Sequence, residues 1–428
     1  MKMDLAGKKL LVMGGAAFSQ DIRKYADAQG FRLIGVGADT TRLKTFCDES
    51  HQIDTQDVDA LEELVHKTGV NGIFVGTTEI NIKPAIELAK RTGIHFYTDA
   101  DQWDVLSSKK KFKELLNRHG VGTIPEYKVD GSFREEDVSK IVWPVLVKPE
   151  DSSGARGISV AGNAEELKRS YNYALKFSQS GRVLVERLIT GMDDVFIRYH
   201  FQDGVYSLSS SFDRHCNFSQ GGFGGIGIAY LHPSKHLQAF VDTMNDKVCE
   251  AFREVGLKDG VMTLQGFADK NENFYFYEAG YRLGGSQSYI FTDRINHSNS
   301  LYYMINYALT GKMADFPIAE RDNAFITTPC CNLYIALKPG TVTALDGVDR
   351  VRAIPEVLNV TELSGVGTVI EKTGSLNHVC MRMHLLADSR EQLAAAIDKV
   401  YEELTILDEN GQDMVLEHFD LRKYDQRK

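Results

Sequence analysis

At 428 residues the chain is long enough for roughly two to four domains with substantial cores. Its 43% hydrophobic and 25% charged residues are those of an ordinary soluble globular protein. A net charge of −10 argues against a basic nucleic-acid footprint and leaves open local cationic sites for anionic ligands.

The N-terminus reads as a first strand, Lys9 to Met13, and not as a signal peptide. A helix pattern over Ser19 to Gln29 ends at Gly30, and Arg32 to Val36 is the next strand. Ile73 to Val75 and Ile94 to Tyr97 repeat the theme, with helical stretches Val58 to Lys67 and Lys83 to Arg91 between them. Strands alternating with helices predict a doubly wound parallel sheet. Gly14-Gly15-Ala16-Ala17 lacks the GxGxxG spacing of a dinucleotide site. Thr77, Thr78 and Glu79 follow a strand at the carboxyl edge, where open α/β sheets take ligands. Ser107 to Gly120 is a capped basic helix whose lysines read as a solvated face, and Val121 to Tyr127 is an extended connector.

Pro144 to Val160 reads as a strand delivering Lys148, a polar glycine loop, and a second strand starting at Ile158. Ser152, Ser153, Gly154, Arg156 and Gly157 suit a flap that covers phosphates, because glycines permit close backbone approach and hydroxyls cradle oxygens. It is not a Walker loop, since no GK[ST] precedes a helix. Asn163 caps a helix to Ser178, Val183 to Glu186 is a strand, and Asp194 to His200 alternates as another. Ser219 to Gly227 is the most glycine-dense run, and a long helix is expected over Ser234 to Val255.

Met262 to Ala268 and Phe274 to Glu278 flank the polar turn Asp269–Asn273, which is a hairpin signal. Gln265 and Glu278 interrupt apolar strands, and in an antiparallel pair they can face one site as oxygen ligands for Mg²⁺. Arg282 and Gly284-Gly285 follow, a phosphate clamp with bare backbone N–H groups. Asn299 to Thr310 is a helix ended by Gly311, Arg390 to Leu404 another helix, and Met414 to Phe419 a late strand. The six cysteines show no CxxC spacing, which points to reduced thiols and against a zinc site. No stretch approaches the roughly 18 apolar residues that span a membrane, and a cytoplasmic location is expected.

The flap, the VLVE strand and the hairpin, in this order, resemble the ATP-grasp superfamily, which includes carbamoyl phosphate synthetase, biotin carboxylase and D-alanine–D-alanine ligase. The resemblance implies an α/β and α+β multidomain chain. Residues 1–120 would be the preceding α/β domain and 121–315 the ATP-grasp fold, with a lid about 125–190 and a core over 191–315. Residues 316–428 would be a small α+β domain. It implies that Lys109 and Lys148 touch phosphate and that Ser152, Ser153, Gly154 and Gly157 close on the β- and γ-phosphates. Glu186, with the Arg187 and Leu188 backbone, matches the adenine hinge, and Asp194, with Asp193 as the alternative, the ribose acid. Gln265 and Glu278 match the metal ligands, and Arg282 the arginine on the transferred phosphoryl group. One departure is Glu278-Ala279-Gly280, where the family writes glutamate–any–asparagine. Another is the run LGGSQSY after Arg282.

The implied cofactors are ATP and Mg²⁺. The implied reaction is ADP-forming ligation of a carboxylate to an amine through an acyl phosphate. A bicarbonate-phosphorylating carboxylase and a nucleotide-binding protein without turnover are the alternatives. The expected partners are small-molecule carboxylate and amine substrates, with no nucleic acid or membrane, and a homodimer is the candidate assembly.

Overall fold

The computed structural model describes residues 3–14, 18–150, 157–220 and 225–426. Four strands open the chain: β1 (Lys9–Val12), β2 (Arg32–Gly37), β3 (Glu49–Gln52) and β4 (Gly72–Phe74). They pair in parallel in the order β3-β2-β1-β4. Leu10 to Val12 and Leu33 to Val36 are buried, the continuous apolar run of a sheet covered on both faces. The helices Ser19–Gln29, Val58–Thr68 and Ile82–Thr92 each end at a glycine in the left-handed conformation, as predicted for Gly30.

The sheet differs from the sequence reading at two strands. Glu49–Gln52 is the edge strand, and its polar, half-exposed residues carry no apolar run to announce it. Ile94 to Tyr97 is not a strand. Tyr97 instead packs edge-on to Tyr281 and donates its hydroxyl to the Tyr281 carbonyl at 3.0 Å, so long-range packing captured this segment.

A small antiparallel sheet follows, from β5 (Glu126–Tyr127), β6 (Val145–Pro149), β7 (Ser159–Ala161) and β8 (Val183–Arg187), ordered β5-β8-β6-β7. The helix Ala164–Leu175, capped by Asn163, packs its Leu167, Tyr171 and Ala174 on Val145, Val147 and Val185. The chain continues through β9 (Asp193–Gln202), β10 (Val205–Asn217), β11 (Ile226–His232), β12 (Gly260–Ala268) and β13 (Phe274–Tyr281). Beyond these come β14 (Cys330–Ala336), β15 (Gly340–Thr341), β16 (Ala344–Asp346), β17 (Val357–Glu362), β18 (Val369–Ile370), β19 (Val379–Leu386) and β20 (Thr405–Leu407). One eight-stranded sheet, β13-β12-β9-β10-β11-β14-β19-β17, runs from the central region into the last hundred residues, while β15/β18 and β16/β20 form two small pairs.

Three further expectations change. The helix over Ser234 to Val255 is two helices, Leu237–Thr243 and Asn245–Val255, broken at Met244. Thr243 bonds its hydroxyl back to the Ala239 carbonyl, a bond that bends helices. Ser108, not Ser107, caps the basic helix Lys109–Arg118. Met414 to Phe419 makes only isolated bridges, its amides bonding to both Ile406 and Ala336 without a ladder. All six cysteines are free.

Candidate active site

Two faces carry the chemistry. On the small sheet, Leu146 pairs with Glu186 and Lys148 lies two residues on, so Lys148 and Glu186 share one face. Lys148 Nζ stands 2.5 Å from Glu186 Oε2. The other carboxylate oxygen accepts from Lys113, whose ammonium also lies 3.5 Å from Glu126. Glu186 is 1% exposed and Lys113 5%. Burial alone would push the Glu186 carboxyl up, but the Lys148 and Lys113 charges outweigh it and hold the group below its usual value. Lys109, one helical turn before Lys113, adds repulsion at Lys148. Three cations thus meet two carboxylates, a surplus suited to a polyphosphate.

The Arg187 N–H is donated to the Pro125 carbonyl at 2.9 Å and the Leu188 N–H to Pro144 at 3.1 Å. Only the carbonyls of this hinge are therefore left for a ligand edge. Gly157 has φ +76°, and a side chain there would meet Phe177 and Pro149. Ser152, Ser153 and Gly154 lie outside the described residues.

On the large sheet, cross-strand pairing builds rows of side chains on one face. Glu278, Gln265, Phe196 and Phe212 form one row; Gly280, Thr263, Arg198 and Ser210 form the next. Gln265 and Glu278 are direct partners, at the roughly 5 Å Cβ spacing of an antiparallel pair. Gly280 offers no side-chain oxygen. The donor set fits a Mg²⁺ that takes most of its ligands from phosphate and water. Among the described residues, no group of three or more His, Cys, Asp or Glu could hold a metal ion.

Arg282 follows at the strand end, its Nη2 3.0 Å from Glu79 beyond β4. The turn beyond it leaves the N–H groups of Gly284 and Gly285 without an acceptor among the described residues. Asp194 is held by Arg214 at 2.5 Å, and Arg214 lies over the Phe196 ring at 5.2 Å. Burial raises the Asp194 carboxyl despite that arginine. Asp193 faces away to Lys235 at 2.8 Å and His236 at 3.0 Å.

Residues 108–295 match the family described as carbamoyl-phosphate synthase L chain, ATP binding domain. Residues 333–407 match L-amino acid ligase C-terminal domain 2. The chain superposes on an L-amino acid ligase from Bacillus licheniformis with a TM-score of 0.76 at 18% identity, covering 95% of this chain and 100% of that one. It superposes on a phosphoribosylglycinamide synthetase from Anaerococcus prevotii with a TM-score of 0.74 at 15% identity, covering 94% and 100%. The chain has the ATP-grasp fold. In sequence it is 24% identical over 301 residues to the 2-oxoglutarate carboxylase small subunit of Hydrogenobacter thermophilus, 64% of this chain and 61% of that protein. Two carbamoyl phosphate synthase relatives are spanned over only 31% and 24% of their length.

The small sheet carries Lys148 and Glu186, the large sheet Gln265 and Glu278, and Glu79, beyond β4, meets Arg282. Three buried cations were not legible. Lys113 sits in a lysine run read as solvated, although its flanking Phe112, Leu115 and Leu116 are buried. That apolar stripe was the available signal. Arg198 and Arg382 lie in strands buried on both faces, where alternation does not mark the side a residue takes. Among the described residues, no helix is long and apolar enough to cross a membrane.

Proposed function

We propose that this chain is an ADP-forming carboxylate–amine ligase. The observation that carries the reading is the end of the β12–β13 hairpin. There the Gln265–Glu278 pair, Arg282 and the open N–H groups of Gly284 and Gly285 stand on one short stretch. A carboxylate oxygen attacks the γ-phosphorus of ATP and the bond to the ADP oxygen breaks. The amine nitrogen then attacks the acyl carbon, phosphate leaves with the C–O bond pair, and the nitrogen gives up a proton. Lys148 and Arg282 hold phosphoryl oxygens through these steps, and the glycine N–H groups hold the oxyanion that forms at the attacked carbonyl. Mg²⁺ held by Gln265 and Glu278 would neutralise charge on the phosphates. Glu186 keeps Lys148 aimed at the nucleotide, and Asp194 is the ribose candidate beside Arg214.

Support comes from the likeness to an L-amino acid ligase and a phosphoribosylglycinamide synthetase, and from the match of residues 333–407. The likeness to a 2-oxoglutarate carboxylase subunit favours a second reading, phosphorylation of bicarbonate. ADP release over a panel of carboxylic acids crossed with amines, with a bicarbonate arm, separates them. Release that needs both an acid and an amine is expected. Release with bicarbonate alone would favour the second reading, and ATP binding without any release would leave a nucleotide-binding protein.

A further inference from the structure

The small sheet keeps its surplus of lysines over carboxylates, and among the arginines of the large sheet and its turn Arg214 is neutralised by Asp194 and Arg282 by Glu79. Two are not. Arg198 on β9 is 4% exposed and Arg382 on β19 is 5% exposed. Arg198 Nε donates to the Thr263 hydroxyl at 3.1 Å and Nη2 to the Ser286 hydroxyl at 3.3 Å. Arg382 donates to the Gly285 carbonyl and the Gln287 side-chain oxygen, and its Nε is buried without a partner. Among the described residues, Arg198 Nη1 has no acceptor, and no carboxylate lies within ion-pair distance of either guanidinium. Both bond to the same turn, Gly285 to Gln287, and Tyr334 feels both charges.

Burial pulls Arg198 down to about 10, with the Arg282 charge adding to it, so the group stays cationic at neutral pH. Holding the turn needs donors, not charge. Asn332 already donates to the Ser286 carbonyl at 2.7 Å and is neutral. A buried cation left without an anion costs several kcal/mol, which calls for an anion that arrives from outside the chain. The row geometry locates it. Arg198 is one row from Gln265 and Glu278, about 7 Å along the strand, on the side toward β19. The phosphoryl oxygens already have Lys148, Arg282 and the metal pair.

We propose that Arg198 and Arg382 seat a carboxylate of the substrate that the reaction does not consume, beside the point of acyl transfer. This rests on the ligase reading and narrows it. The substrates include an amino acid acceptor or a dicarboxylic acid donor, in preference to simple amines paired with monocarboxylic acids.

Two measurements on the full chain test the seat. Crystals soaked in sodium bromide should show an anomalous peak within hydrogen-bonding reach of Arg198 Nη1 or Arg382 Nε. Absence of bromide there in the wild type overturns the proposal. In the ADP-release assay each amino acid is compared with its α-amide, and each dicarboxylic acid with its monomethyl ester. One comparison should show a preference of about 100-fold in kcat/KM for the free carboxylate, since a site built around a charge rejects the analogue lacking it. The first comparison assigns the carboxylate to the acceptor, the second to the donor. Arg198→Met and Arg382→Met should each cut that preference to about tenfold or less. Equal use of both forms by the wild type overturns the proposal, whether or not the variants fold. Bromide at the arginines with no ADP release from any pair would retain the anion seat and refute the ligase reading alone.

Discussion

Lys113→Met tests the buried charge network around Glu186. The substitution keeps the side-chain length and the apolar stem while removing the ammonium that Glu186 accepts from. Glu186 would remain 1% exposed with Lys148 as its sole cation. Removing one partner of a buried pair costs about 3–5 kcal/mol, because the remaining charge keeps its burial and loses its compensation. The lower end applies here, since Lys148 stays. Urea unfolding at neutral pH should therefore show a loss of about 3 kcal/mol. The effect should concentrate in the small sheet: Lys113 joins a helix packed on the main core to strand β8, so hydrogen exchange at Val183–Arg187 should rise most. Glu186→Gln should also destabilise, and the double variant should recover part of the sum, with a coupling of at least about 1.5 kcal/mol. A loss under about 1 kcal/mol for Lys113→Met, or simple additivity in the double variant, would refute the network.

Glu278→Ala should cut ADP release more than about 100-fold while ATP affinity by calorimetry changes less than about tenfold, because its charge matters most as phosphoryl moves; normal turnover would remove Glu278 from the site. Lys148→Ala should weaken ATP binding by about 2–3 kcal/mol, the scale of a charge-assisted contact; unchanged affinity would discount it. His232 and His384 are fully buried and each is pushed down to about 3 by burial. Folding therefore favours their neutral forms, and this stability is lost as pH falls below the unfolded value of 6.5. Each should cost about 1.4 kcal/mol at pH 5.5, so His384→Gln should flatten the acid arm of the urea midpoint against pH by about that amount, and an unchanged slope would contradict the assignment. His236 has the opposite sign: burial lowers it, but Asp193 and Glu272 raise it overall. Its contribution is present below the unfolded value and lost as pH rises through the folded one, so the wild type should gain on His236→Gln only on the acidic side.

The N-terminal alternation of strands and helices, the β6–β7 hairpin with Lys148 and the β12–β13 hairpin were all legible, because each is short-range. Gln265 and Glu278 stand on strands joined by a five-residue polar turn, but a bulge between Gln265 and Gly266 makes them direct partners, since an unbroken register would set Gln265 against Tyr277. Elements held by distant partners were not. Glu49–Gln52 is a strand because β2 lies beside it, and Ile94–Tyr97 is not one because Tyr281 claims Tyr97.

Residue types along the chain determined the order of the Lys148 strand, the Glu186 strand, the Gln265–Glu278 hairpin and Arg282, since hydrogen-bond period and turn chemistry act over a few residues. Which charges meet was decided in three dimensions. Lys113 reaches Glu186 across 73 residues, Arg282 reaches Glu79 across 203, and Arg382 closes on Gln287 across 95. Coulombic attraction and desolvation depend on distance in space and on what surrounds a group, and neither is encoded in spacing along a strand. The chain's own pattern thus sets the order of these residues, while the packing of the sheets decides which cations meet a carboxylate and leaves Arg198 and Arg382 buried without one among the described residues.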